Sequence, residues 1–145
     1  MSEPHFYEVA VQWKADRKGI MSSPVLTDKI EVATPPEFAK GMEKIWSPEH
    51  LLVAAVNSCL MTTFLAIAEN SRLEFVTFDS NAIGKLEIVD GKYMISEVEL
   101  MPVVVISNEA DKEKAERVLV KSEKACLISN SVKSTIVFKP IINIA

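Results

Sequence analysis

Tyr7, Val9, Val11 and Trp13 alternate with Phe6, Glu8, Ala10 and Gln12, the period of two that turns successive side chains to opposite faces of a strand. The pattern predicts a strand over residues 5–13. The next stretch, Ala15-Asp16-Arg17-Lys18-Gly19, is polar and carries a glycine. Short strands are expected after it at residues 20–26 and 29–34, so the chain opens as an antiparallel meander. Pro35-Pro36 stops the last strand, and a loop containing Gly41 leads to Trp46.

Ser47-Pro48-Glu49 reads as a helix start: serine can cap, proline is tolerated at the first helical position, and glutamate suits the positive end of the dipole. The helix should run to Asn70. Residues 51–68 are apolar nearly all round, where a surface helix would show a single stripe, so this helix is expected at the centre of the molecule. Residues 75–88 and 93–105 form a predicted hairpin joined through Asp90-Gly91. Ser107-Asn108-Glu109 opens a second helix, on which Ala115, Val118, Leu119, Ser122 and Cys126 fall at helical spacing, with Cys126 at or just beyond its end. Residues 135–144 are β-branched and apolar, broken by Pro140, and should close the sheet at an edge or with a bulge. Strands, a buried helix, a hairpin, a helix and a last strand give an α+β order and not a doubly wound parallel sheet.

At 145 residues and 48% hydrophobic, the chain is expected to be one domain spanning residues 1–145. A net charge of −4 with scattered lysines argues against nucleic acid as a partner. The first ten residues lack the features of a secretory signal, which makes the cytoplasm the expected location. Residues 51–68 are long enough to raise a membrane span, but Asn57, Ser58, Thr62 and Thr63 interrupt them, so no membrane partner is expected.

Two cysteines in a reducing compartment do not make a structural disulfide framework; if they pair, the pairing should be transient and chemical. Composition alone favours the alternative, two buried cysteines acting as small hydrophobes. Cys59 sits mid-helix, ten residues past Glu49, where the helix dipole has faded, so a reactive Cys59 needs a cation from elsewhere. Of the three arginines, Arg17 is the best candidate, because its loop could place it over the helix, whereas Arg117 reads as a solvated helix residue. Met61 and Phe64 are candidates to line an apolar pocket near Cys59. His5, His50 and the cysteines lack the short spacing of a zinc site, and no cofactor is expected.

The stretch Trp46-Ser47-Pro48-Glu49-His50-Leu51-Leu52-Val53-Ala54-Ala55-Val56-Asn57-Ser58-Cys59 strongly resembles the proline-glutamate to cysteine segment of the osmotically induced protein C / organic hydroperoxide resistance family. Cys126-Leu127-Ile128-Ser129-Asn130-Ser131 resembles that family's second-cysteine segment, and the order of elements agrees. This chain carries Leu127 where many relatives have proline, and Ser122 where a histidine is often found.

The resemblance implies an intertwined homodimer with antiparallel strands around a long buried helix. It also implies a thiol peroxidase for organic hydroperoxides, without a cofactor, in which Cys59 attacks, Cys126 resolves, and Arg17 and Glu49 serve the site. The reductant it implies is a thiol or dithiol such as a lipoyl protein. A stress protein with weak or broad activity, and a non-catalytic dimeric protein binding a small molecule, are the alternatives. In an unbroken helix Glu49 lies about 15 Å along the axis from Cys59, too far to serve it. Two such helices packed antiparallel near Ala54 and Ala55 would set each Glu49 beside Cys59 of the partner subunit.

Overall fold

The computed structural model describes residues 3–145, which form two compact units divided between Leu51 and Leu52. In the first, β1 (Ala10–Ala15), β2 (Lys18–Ser22) and β3 (Ile30–Ala33) make an antiparallel meander in that order. Asp16 and Arg17 alone turn β1 into β2; Asp16 takes a positive φ of 51°, and the Trp13 indole N–H closes the turn by donating to the Asp16 carbonyl at 3.0 Å. The strand expected over residues 5–13 begins only at Ala10. Its register explains why: Ala10 pairs with Ser22, the last residue of β2, so residues before it have no strand to ladder with among the described residues. Ser23-Pro24 likewise ends β2 before Leu26.

The loop after β3 is held by its own backbone, with Met42 N–H donating to Thr34 O and Ala33 N–H to Trp46 O, each at 2.8 Å. It delivers the chain to α1 (Pro48–Asn70). Buried Ser47 caps this helix, its Oγ accepting from His50 N–H at 3.1 Å and lying 2.7 Å from His50 Nδ1.

The second unit holds the rest of α1 and a four-stranded sheet. β4 (Thr77–Val89) and β5 (Lys92–Ile106) form the hairpin, with Asp90 and Gly91 both at positive φ, 50° and 79°, as a two-residue turn of this hand requires. α2 (Lys112–Ala125), entered through a 3-10 turn at Glu109–Asp111, crosses back. β6 (Thr135–Phe138) and β7 (Ile141–Ile144) then run parallel to β5, one beyond the other along it. Pro140 separates them, and Pro102 of β5 lies opposite that break, so neither missing amide hydrogen is wanted by a ladder there.

Val98, Leu100, Val104 and Ile106, all on one face of β5, are fully buried against both helices. α1 contributes Val56, Leu60, Phe64 and Ala68, a stripe of spacing four, and α2 contributes Ala115, Val118 and Leu119. α1 is long and apolar enough to cross a membrane by length and composition, but that stripe packs into the core as in the central helix of a globular fold. Away from that stripe the helix is less covered in the single chain, with Met61 and Leu65 about two-fifths exposed.

Candidate functional site

Two helices bring the cysteines together. Cys59, half-buried in the middle of α1, lies against Cys126, which is the fully buried C-cap of α2. α2 presents Cys126 because Ala115, Val118, Leu119 and Ser122 anchor the same face in the core. The Cys126 Sγ lies 4.0 Å from the Val56 carbonyl oxygen, one turn back from Cys59 on α1.

Burial penalises a charge on Cys59, yet its pKa falls below the ordinary thiol value of 9.0 because donors outweigh that penalty. They are the Ile128 N–H, the Cys126 thiol, the Thr63 hydroxyl and the Leu127 N–H, with Thr63 Oγ1 at 3.9 Å from the sulfur. Cys126 is pushed up instead, by burial first; the hydroxyl and N–H of Ser129 oppose the shift, and the neighbouring Cys59 adds to it. Ser129 Oγ is buried without a full hydrogen bond to any partner, which leaves its proton free for the Cys126 sulfur. One thiol is thus set to ionise while the other keeps its proton.

Arg17 and Glu49 both lie in the first unit. They line a cleft of about 790 Å³ together with Val11, Trp13, Pro35 and Phe38. Arg17 stands at the β1–β2 turn, fixed by its carbonyl, which accepts from Thr34 N–H at 3.3 Å. Glu49 is in the first turn of α1, and its Oε1 is buried with no hydrogen-bond partner among the described residues. A buried carboxylate oxygen left unpaired beside a cleft is a costly arrangement unless something else satisfies it.

Met61 and Phe64, expected to line an apolar pocket near Cys59, point away from it around α1 in the single chain. Two and five residues along a helix turn a side chain by roughly 160° and 140° from the Cys59 direction. Phe64 is fully buried in the core, its ring centroid 5.1 Å from Phe75 and 4.7 Å from Phe78. Met61 is exposed on another face. Thr63, four residues on from Cys59, is the side chain that the helical period brings beside it, and the sequence reading missed it. It also missed Ser129 and the backbone donors of residues 127 and 128, for which residue type carries no signal. Among the described residues, no group of three or more His, Cys, Asp or Glu is placed to hold a metal ion.

The family model for OsmC-like proteins matches residues 41–140, which include Glu49, Cys59 and Cys126. The chain is 28% identical to an OsmC-like protein of unknown function from Vibrio cholerae, covering 97% of this chain and 100% of that one with a TM-score of 0.84. An organic hydroperoxide resistance protein from Elizabethkingia anophelis, crystallised with thiocyanate, shares the fold at 19% identity and a TM-score of 0.78 over the full length of both chains. The uncharacterized protein YmaD of Bacillus subtilis is 24% identical over 141 residues, 94% of this chain and 91% of that protein.

Proposed function

Because this chain belongs to the OsmC-like protein family, we propose that it is a cysteine-based peroxidase reducing organic hydroperoxides, with Cys59 as the attacking thiolate and Cys126 as the resolving thiol. The observation that carries this reading is the contact between the two thiols with their pKa values driven apart, Cys59 down and Cys126 up. Fold relatives named as organic hydroperoxide resistance proteins support the substrate class.

The chemistry needs no other redox group. The Cys59 thiolate attacks the terminal peroxide oxygen, the O–O bond breaks, and the alkoxide takes a proton and leaves as alcohol, giving a sulfenic acid. Cys126 then attacks the Cys59 sulfur, loses its proton, and expels the hydroxyl as water; the product is a Cys59–Cys126 disulfide. An external thiol or dithiol, for which a lipoyl protein is the family's precedent, returns both to thiols. Arg17 would steady the negative charge developing on the peroxide, and Glu49 would hold the guanidinium fork.

The active form in this proposal is a homodimer. All six residues of β1 are exposed, among them Val11 and Trp13, and residues 5–9 have a strand pattern without a strand to pair with. A second copy supplies both a cover and an edge. Since about 15 Å of helix separates Glu49 from Cys59, each Glu49 would serve the cysteine of the other subunit.

Cys59→Ser should abolish reduction of an alkyl hydroperoxide, followed as peroxide consumed in the presence of a dithiol. Wild-type turnover in that variant would sink the assignment. A thiol count after peroxide treatment separates the catalytic reading from a binding protein, whose two thiols would both remain.

A further inference from the structure

The turn that follows α2 spends only part of its hydrogen-bonding capacity on itself. Asn130 N–H donates to Cys126 O at 3.1 Å and Ser131 N–H to Ile128 O at 2.9 Å, but the N–H groups of Leu127 and Ile128 meet no carbonyl among the described residues. Several contacts hold these two peptides against α1. The Ile128 side chain packs on the cluster of Val56 and Leu60, which flank Cys59 along the helix, and the Ser131 hydroxyl fixes the Leu127 carbonyl at 2.9 Å. The Cys126 sulfur, at the head of the turn, rests on the Val56 carbonyl.

We propose that the amide hydrogens of Leu127 and Ile128 form an anion seat for the Cys59 sulfur, so that the segment delivering the resolving cysteine also activates the attacking one. This deepens the peroxidase reading and rests on it for its purpose. Adjacent amide hydrogens aimed at one point stabilise a negative charge without any cation, and they are already oriented before the charge forms. Position explains the need: a cysteine in mid-helix gains nothing from the helix's positive end. The other groups donating to Cys59 are Thr63, which is neutral, and Cys126, the titratable one. The two residues are positioning residues through their backbone: the Ile128 side chain only anchors the turn on α1, and that of Leu127 is 68% exposed.

That exposure permits a clean test. Cys126 has φ −63° and ψ 111°, the extended conformation that a residue before proline adopts, and Leu127 N–H gives up no carbonyl partner. Leu127→Pro therefore deletes one amide hydrogen behind a residue that already has the conformation proline asks of its predecessor, while Leu127→Ala trims the side chain and keeps the amide. Cys59 is titrated by its thiolate absorbance and its alkylation rate at neutral pH is recorded. Leu127→Pro should titrate at higher pH than wild type or Leu127→Ala, with alkylation slowed several-fold. A semisynthetic protein with an ester replacing the Cys126–Leu127 amide, joined by ligation at Cys126, makes the same deletion without proline and decides the matter should Leu127→Pro not fold. If the folded ester protein titrates with wild type, the seat is overturned. Peroxide turnover is followed separately: a wild-type protein that leaves alkyl hydroperoxides intact overturns the peroxidase reading, while the thiolate shift is still judged by the titration.

Discussion

Cys59 and Cys126 are the same chemical group in two settings, and the difference between the settings predicts two pH dependences. Cys59 ionises below the ordinary thiol value, so the rate of its first oxidation should rise with pH and level off before 9.0. Burial keeps Cys126 protonated to higher pH, so the second step, disulfide formation, should still be accelerating where the first has saturated. Rapid mixing with an alkyl hydroperoxide, read by intrinsic fluorescence, resolves the two; coincident profiles would mean that the thiols titrate alike. At this scale the sequence was partly legible. The two cysteines and Glu49 are carried by motifs, and Thr63 could have been found from its spacing of four to Cys59. The peptides of Leu127 and Ile128 could not, since their role depends on where a turn puts N–H groups that every residue but proline possesses, and the Ser129 hydroxyl depends on the same turn to reach Cys126.

The elements that locate the site are tied by few, specific contacts. Asn57, two residues before Cys59, locks α1 to β4 with a reciprocal pair of bonds: its Nδ2 donates to Ser80 O at 2.8 Å and its Oδ1 accepts from Ser80 Oγ at 2.6 Å. Close to it, a Cβ on Gly84 would come within 2.4 Å of a Val53 methyl, so the glycine lets the helix lie against the strand. Asn57→Ala should destabilise the protein by about 1–3 kcal/mol, read from the urea midpoint, because it leaves part-buried Ser80 groups without partners. A midpoint within error of wild type would mean that water replaces the bonds at no cost. The start of α1 and the Asp90-Gly91 turn were legible because capping and turn chemistry are local, whereas the expected start of α2 at Ser107-Asn108-Glu109 is a 3-10 turn and the helix proper begins at Lys112. The true start of β1 and the parallel pairing of β6 and β7 with β5 were not, because a strand exists only where a partner from elsewhere in the chain lies beside it.

For the molecule as a whole, the single chain leaves large apolar side chains exposed in both units: Phe6, Tyr7, Val9, Val11 and Trp13 in the first, Met61 and Leu65 in the second. Light scattering should give about 32 kDa, twice the 16.1 kDa of one chain. If the proposed dimer shares its sites, co-refolding inactive Glu49→Ala with inactive Cys59→Ser subunits should restore about a quarter of wild-type turnover, since half of a random mixture would be heterodimers with one intact site of two. Verified heterodimers without activity would place Glu49 in its own chain's site or in none. A bond between Cys59 on α1 and Cys126 at the end of α2 would close a loop of about 67 residues, almost half the polypeptide. Such a loop removes enough freedom from the unfolded chain to stabilise the oxidised form by about 4 kcal/mol, a rise in melting temperature on the order of ten degrees. Calorimetry of peroxide-treated and dithiol-treated protein would show it, and equal melting temperatures would mean that no such bond had formed. Heat resistance would then follow the last peroxide encountered, and each reduction would return the chain to its more fragile, proteolysis-prone form.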